Sequence, residues 1–256
     1  MTNSRQAQIQ TLLSRHGECS VEFLARKFDV SDMTIRRDLA ALEKSGGLIR
    51  THGGATPREK VLFEFQFLEK TRINKTAKTQ IAEASSRLIK DGQSVMMDSG
   101  TTTLSVARKL HSHKNLTLIT TSLPIAAALQ YFRGISVLLL GGFVRCDAAD
   151  LCGALTETNL ENLHADVTMI GADAIDLKGN IYNNSTEVAR MLTRMAAASP
   201  VVYVVADSSK IGKTALMRFG NISRWKGLIT DNGISKKDAS ALRQSGVNLI
   251  IGNPDE

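Results

Sequence analysis

Apolar residues recur at helical spacing in three stretches near the start of the chain, and a strand-like hairpin follows them. The first stretch fits a helix over residues 4–15, the second follows Ser20, and the third follows Ser31. Serine is a favoured N-cap because its hydroxyl accepts a hydrogen bond from the first helical turn. The hairpin fits residues 48–55. Three helices followed by a hairpin predict a winged helix-turn-helix domain over residues 1–57.

The third of these helices carries polar and basic side chains on the face opposite its apolar residues. Arg36 and Arg37 stand near its N-terminus, where a recognition helix contacts bases and phosphates in the DNA major groove. The alternative is an ordinary surface on which the two arginines are a solvated charge pair. Because the capped turn, the paired arginines and a basic hairpin occur together and in order, the DNA-binding interpretation is favoured. The residues expected to contact DNA are Ser31, Met33, Thr34, Arg36, Arg37, Arg50 and His52.

Beyond Ile81, apolar strand-like runs alternate with helical stretches. This alternation predicts an α/β domain over residues 76–256, with a mostly parallel sheet buried on both faces. A linker is assigned to residues 58–75, where three phenylalanines alternate with polar residues and fit either core packing or an interdomain or dimer contact. The predicted strands span residues 94–97, 116–120, 135–140, 167–170, 201–206, 228–230 and 247–251, and the predicted helices span residues 76–89, 102–110, 124–131, 155–163, 187–198 and 236–244.

Small, polar or charged residues follow five consecutive predicted strands. Ligands of such sheets bind beyond the carboxyl ends of the strands, so these residues are expected to form one pocket. The turn at residues 98–103 fits either a simple N-cap cluster or a cradle whose backbone N–H groups hold an anion. Hydroxyls, carboxylates and a cation together suit a sugar phosphate. The residues expected there are Asp98, Gly100, Thr101, Thr102, Gly142, Arg145, Asp173 and Lys210.

Composition narrows the class of protein without deciding it. The 256 residues carry a net charge of +7, which suits a polyanionic partner. Residues 1–60 contribute only +3, from ten basic and seven acidic residues, so charge alone is weak evidence for DNA. Cys19, Cys146 and Cys152 lack metal-binding spacing and indicate reduced thiols in a cytoplasmic protein. We expect no metal, no cofactor and no membrane span.

The recognition helix and its hairpin resemble the DNA-binding signature of DeoR-type bacterial repressors. Residues 34–39 read Thr-Ile-Arg-Arg-Asp-Leu, a Leu-Glu pair ends at Glu43, and residues 52–55 read His-Gly-Gly-Ala. The loops after the predicted strands also match the family, so the resemblance covers nearly the whole chain. It adds Glu187 to the expected effector-binding residues. It implies a larger domain with a fold similar to that of ribose-5-phosphate isomerase.

The resemblance implies a homo-oligomeric transcriptional repressor of carbohydrate utilisation that binds operator DNA and senses a phosphorylated sugar or related metabolite. Residues 171–176 are similar to the acidic loop of the isomerase, but Ile170 and Ala174 stand where the isomerase has acids. The second hypothesis is a sugar-phosphate isomerase-like enzyme with a DNA-binding appendage. Because these two acids are missing, we expect a non-enzyme instead. A third hypothesis, a DNA-binding protein whose second domain only oligomerises, conflicts with the polar strand ends.

Asp150 would disfavour a nearby phosphate unless Arg145 faces it.

Overall fold

The computed structural model describes residues 4–57, 70–145 and 148–253, without the side chains of Ser4 and Ser14. The chain forms two compact units, Met1–Lys70 and Thr71–Glu256. Most of the predicted linker, including its phenylalanines at 63, 65 and 67, lies outside the described residues, as does Cys146. None of the described helices combines the length and the apolar character needed to cross a lipid bilayer.

The smaller unit is a winged helix-turn-helix, as predicted. Its hairpin strands β2 and β3 are joined by a third, unpredicted strand, β1, which pairs antiparallel with β3 in the order β1-β3-β2. The elements are α1 (Ser4–His16), β1 (Cys19–Ser20), α2 (Val21–Phe28), α3 (Asp32–Lys44), β2 (Leu48–Arg50) and β3 (Gly54–Pro57).

Capping and apolar spacing explain why these short helices form. The Ser20 hydroxyl accepts the Phe23 N–H at 3.0 Å, and the Ser31 hydroxyl accepts the Thr34 N–H at 3.3 Å. Asp29 ends α2 in the left-handed conformation, with φ of 52°, which a short polar residue tolerates. The apolar faces of the three helices meet the hairpin in one core, which contains Ile9, Leu13, Leu24, Ile35, Leu39, Leu42 and Leu48.

The larger unit is built on a seven-stranded sheet whose neighbouring strands all pair in parallel, in the order β15-β14-β12-β9-β4-β5-β6. The seven predicted strands and six predicted helices are confirmed, with bounds that differ by a few residues. The elements are α4 (Lys75–Ser86), β4 (Ser94–Met97), α5 (Thr101–Arg108), β5 (Leu116–Thr120), α6 (Leu123–Leu129), β6 (Ile135–Leu139), β7 (Phe143–Val144), β8 (Leu151–Cys152), α7 (Ala154–Glu161), β9 (Val167–Ile170), β10 (Ala174–Ile175), β11 (Asn180–Asn183), α8 (Thr186–Ala197), β12 (Val202–Val205), β13 (Met217–Asn221), β14 (Gly227–Asp231), α9 (Lys236–Gln244) and β15 (Leu249–Gly252).

Two small antiparallel sheets were not predicted. The β7–β8 ribbon pairs Phe143 with Cys152, and β10, β11 and β13 form a second sheet beside α8. Both follow strands of the main sheet and lie in the loops that the sequence marked as polar. The central strands β4, β9 and β12 are buried along nearly their whole length, so the sheet holds its carboxyl-end loops on a rigid base.

Candidate DNA interface and ligand site

Helix α3 presents an exposed polar face near its N-terminus. The Met33 side chain is 67% exposed, and Arg36 and Arg37 are also exposed. The Ser31 hydroxyl is 3.0 Å from the Thr34 hydroxyl and caps the helix, so these two residues shape the helix end. The predicted recognition residues of α3 therefore lie together on one surface of the smaller unit.

The hairpin is fastened to α3 through an ion pair that the sequence analysis did not anticipate. Arg50 donates from Nε to Glu43 Oε2 at 2.7 Å and from its backbone N–H to Glu43 Oε1 at 3.1 Å. These two hydrogen bonds lower the pKa of the Glu43 carboxyl. The predicted wing cation is thus already paired with a carboxylate.

A cleft of about 370 Å³ separates α3 from the hairpin. It brings three predicted DNA-contacting residues, Arg36, Arg50 and His52, to one place, together with the Glu43 carboxylate. Arg37 does not line it. The full lining is Val21, Arg36, Leu39, Glu43, Arg50, Thr51, His52 and Gly54.

In the larger unit, Asp98 joins the ends of β4 and β9. Its buried carboxylate accepts the Gly171 N–H at 2.9 Å, the Gly100 N–H at 3.1 Å and the Thr103 hydroxyl at 2.6 Å. Burial raises the pKa of this carboxyl, although the three donors act in the opposite direction. Asp98 therefore holds the start of α5 in place, where Thr101 and Thr102 are half-buried.

A second group forms around Asp150, which is fully buried. Arg145 donates to its Oδ1 from Nε at 2.7 Å and to its Oδ2 from Nη2 at 3.0 Å, and the Ser99 hydroxyl also donates to Oδ2. The predicted cation Arg145 does face Asp150. This is the arrangement in which the sequence analysis allows a phosphate to bind near Asp150. Glu187 lies next to this group. Burial raises the pKa of the Cys152 thiol, and a hydrogen bond with the Glu187 side chain raises it further.

Gly142 has a packing role in this group. A Cβ there would collide with the Thr156 hydroxyl and the Cys152 carbonyl, so only glycine lets the β7–β8 ribbon approach α7 this closely. Thr121 is buried nearby, and its backbone carbonyl accepts the Leu151 N–H. Its side-chain hydroxyl has no hydrogen-bond partner among the described residues.

A third group gathers around Asp207, after β12. The Asp207 carboxylate accepts the Ser209 N–H at 3.1 Å and the Asn74 side-chain N–H at 3.0 Å. The buried Lys78 on α4 lies beside this group, where its Nζ donates to the Ile73 carbonyl at 2.9 Å. Burial lowers the pKa of Lys78, Asp207 raises it, and Lys210 lowers it further. Lys210 is half-buried and belongs to none of the ion pairs found among the described residues.

Sequence reasoning missed Asn74 and Lys78. Lys78 precedes Ile81, Ala82 and Ser85 on the buried face of α4. A lysine in register with apolar positions was the signal that could have revealed it. Asp173, in contrast, has a partner outside these three groups. Its carboxylate accepts the backbone N–H of Asn184 at 2.9 Å and the side-chain N–H of Asn184 at 3.1 Å.

The comparisons with known proteins match both units. Residues 5–61 match the DeoR-like helix-turn-helix domain, and residues 73–232 match the DeoR C terminal sensor domain. The chain is 34% identical to a protein of Escherichia coli O157:H7 named "Putative aga operon transcriptional repressor", over 98% of this chain and 94% of that one. It is 33% identical to the HTH-type transcriptional regulator GolR of Listeria innocua, over 96% and 97% of the two chains.

Among solved structures, ribose 5-phosphate isomerase A of Neisseria gonorrhoeae matches over 52% of each chain, with 19% identity and a TM-score of 0.40. The relatives similar over nearly their whole length are named as regulators, not enzymes. The chain therefore belongs to the DeoR family and is a DNA-binding transcriptional repressor with an N-terminal helix-turn-helix domain and a C-terminal α/β sensor domain.

Proposed function

We propose that this repressor controls a carbohydrate-utilisation operon and that a phosphorylated sugar, bound at the strand ends of the sensor domain, changes its affinity for operator DNA. The observation that carries the proposal is the presence of two lysines at the Asp207 loop: Lys210, which lies in that loop, and the buried Lys78, whose pKa Lys210 lowers. We also propose that the repressor is cytoplasmic. It acts as a homo-oligomer, because a helix-turn-helix protein reads two operator half-sites with two recognition helices.

The phosphate is assigned to Lys78 and Lys210. Lys78 is buried, and Lys210 lowers its pKa, so the two ammonium groups repel each other in a poorly solvated place. The Asp207 carboxylate raises the pKa of Lys78 and also accepts hydrogen bonds from Ser209 and Asn74. A phosphate dianion would accept hydrogen bonds from both ammonium groups and reduce the repulsion between them.

The sugar is assigned to the neighbouring strand ends. Thr101 and Thr102 stand half-buried at the start of α5, where hydroxyls and backbone N–H groups are available to an oxygen-rich ligand. Glu187 and Gly142 belong to the group around Asp150, on the side of β5. We assign Asp98 and Arg145 to holding this wall in shape, because their hydrogen bonds are made within the protein.

On the DNA side, the two arginines of α3 receive different roles. Arg36 shares the cleft with Arg50 and His52, so we assign it to the phosphate backbone together with the wing. Arg37 is exposed outside that cleft, and we assign it to a base edge, with Met33 beside it as an apolar contact. Ser31 and Thr34 position the helix end.

The effector can act only if it binds the DNA-competent and DNA-incompetent states with different affinities. Asn74 and Lys78 offer a physical route, because both contact or face the Asp207 loop. Asn74 lies near the end of the predicted linker, and Lys78 lies on α4, which follows it. A ligand on Lys78 and Lys210 would compete for the contacts that fix the start of α4. The isomerase alternative is not retained, because relatives of nearly equal length are named as regulators.

Thermal shift measurements test the ligand assignment. The wild-type chain is screened against hexose, amino-sugar and polyol phosphates, with each unphosphorylated compound and inorganic phosphate as controls. We expect at least one sugar phosphate to raise the melting temperature where its unphosphorylated counterpart does not, because a ligand specific for the folded state stabilises it. The shift should disappear in Lys210→Ala and Lys78→Met and persist in Lys213→Ala, whose side chain is exposed in the same loop region. A shift retained by both Lys210→Ala and Lys78→Met would overturn the assignment.

A further inference from the structure

Three loop segments of the sensor domain hold its excess of positive charge. They are residues 87–92, 108–115 and 130–134, and we call them the amino-end surface. Together they contain six lysines and arginines and one aspartate, a net charge of +5. Residues 61–256 as a whole contain 22 basic and 18 acidic residues, a net charge of only +4. The positive charge beyond residue 60 is therefore concentrated at these three segments.

The three segments lie side by side at the amino end of the main sheet. They precede β4, β5 and β6, which are neighbouring parallel strands. The Gly92 N–H donates to the Lys114 carbonyl at 3.0 Å and joins the first segment to the second. The rings of His111 and Phe132 are 6.2 Å apart and join the second segment to the third. The amino-end surface is thus continuous and lies at the end of the sheet opposite the proposed ligand site.

Most of these cations are available to a partner. Lys109 is the only one of the six that forms an ion pair among the described residues, with Glu83 at 2.8 Å. The one carboxylate of the surface, that of Asp91, accepts the backbone N–H of Lys114 at 2.9 Å. The other five cations are exposed, namely Arg87, Lys90, Arg108, Lys114 and Arg133.

Helix dipoles explain only part of this charge. A cation in the last turn of a helix stabilises that helix, as Arg108 does at the end of α5. Lys114 and Arg133, in contrast, lie beyond the ends of α5 and α6. Tyr131, in the same loop as Arg133, is 86% exposed and offers a phenolic hydroxyl. Lysine, arginine and tyrosine side chains are the groups that contact DNA phosphates without reading bases.

We propose that the amino-end surface binds the phosphate backbone of the duplex that flanks the operator. The chain is a DNA-binding repressor whose helix-turn-helix domain occupies the operator itself. Because both domains belong to one chain, operator binding holds the flanking duplex at a high effective concentration for the sensor domain. These contacts add affinity that depends on salt and not on the flanking sequence. The inference does not depend on the sugar phosphate, which is assigned to the other end of the sheet.

Fluorescence anisotropy of the full-length chain with two duplexes tests the proposal. The short duplex, of about 20 base pairs, holds only the operator selected in vitro, and the long one adds about 20 base pairs of arbitrary sequence on each side. We compare the wild type with the double variant Lys114→Ala/Arg133→Ala. The matched control is Lys236→Ala/Lys237→Ala, which removes the same number of charges from exposed positions at the start of α9.

We expect the wild type and the control to bind the long duplex more tightly than the short one, and Lys114→Ala/Arg133→Ala to lose most of that advantage. With the long duplex, the slope of log affinity against log salt should fall by about two in this variant, because two phosphate contacts are lost. Its deficit relative to the control should therefore shrink about tenfold between about 50 and 200 mM salt. The short duplex should be bound equally by the variant and the control.

Circular dichroism melting of each variant shows whether it still folds, and Lys114→Gln/Arg133→Gln gives a milder substitution if the alanine variant does not. A folded double variant that binds the long duplex with the affinity and the salt slope of the control would overturn the proposal. A wild-type chain that binds the short and long duplexes with equal affinity and equal salt slope would overturn it as well.

Discussion

The guanidinium group of Arg145 meets the Asp150 carboxylate in a two-point contact, with Nε 2.7 Å from Oδ1 and Nη2 3.0 Å from Oδ2. The carboxylate is fully buried, and the arginine side chain is only 17% exposed. The cation that follows β7 is thus engaged within the ligand wall, which is why we assign the effector phosphate to Lys78 and Lys210 instead.

Removing one partner of this pair should destabilise the sensor domain. For Asp150→Ala we expect a loss of about 3 kcal/mol in the free energy of unfolding, because Arg145 and Ser99 would lose this buried acceptor. Urea denaturation followed by circular dichroism measures the change. The control is Glu161→Gln, which breaks an exposed pair with Arg194 and should cost less than about 1 kcal/mol. Equal losses in the two variants would contradict the structural role of Asp150.

The two arginines of α3 should differ in what they read. Arg37→Ala should weaken binding to a duplex selected in vitro for the wild-type chain by about 1–3 kcal/mol and relax its sequence preference. Arg36→Ala should weaken binding to all duplexes alike and lower the slope of log affinity against log salt by about one. Fluorescence anisotropy at several salt concentrations separates the two patterns. The assignment is reversed if Arg36→Ala alone changes the preference.

Glu43 should restrain the wing cation. Glu43→Gln removes a negative charge beside Arg50 and leaves that arginine available to a DNA phosphate, so non-specific affinity should rise. Arg50→Ala should lower it, and the double variant should bind as Arg50→Ala does, because Glu43 acts through Arg50. Anisotropy with a random-sequence duplex completes this double-mutant cycle. Strictly additive effects would show that Glu43 does not act through Arg50.

The pH dependence of stability should reveal the buried Asp98 carboxyl. Burial raises its pKa in the folded chain, so the folded state holds the proton where the unfolded chain has lost it. Its contribution to stability is therefore fully present below the unfolded pKa, near 3.8, and is lost as the pH rises through the folded value. The stability advantage of the wild type over Asp98→Asn should shrink from about pH 4 towards neutrality.

Asp166 provides the control of opposite sign. Hydrogen bonds from Ser94 lower its pKa, so its contribution is present above the unfolded pKa and is lost as the pH falls below about 4. The advantage of the wild type over Asp166→Asn should accordingly grow as the pH rises towards about 4 and stay constant above it. Urea titrations at matched pH values measure both differences. A wild-type advantage over Asp98→Asn that grows with pH would contradict the assigned burial.

The sequence predicted the main sheet well because buried parallel strands are continuous apolar runs, as Val202–Val205 illustrates. It missed the β7–β8 ribbon, since strands of two residues have no periodicity to detect. Pairings between distant side chains were also inaccessible. Nothing in the order of residues links Asn74 with Asp207, or Glu43 with Arg50, before the chain is folded.

The operator affinity of the wild-type chain, measured with and without the sugar phosphate found by thermal shift, tests whether this ligand controls DNA binding. Anisotropy with the selected duplex should show a change in affinity of about 5- to 150-fold with the phosphorylated compound. Its unphosphorylated counterpart should have no effect, and Lys210→Ala should bind the duplex as tightly as the wild type but without responding. Operator affinity that is unaffected by every phosphorylated sugar, or equally affected in Lys210→Ala, would contradict the account.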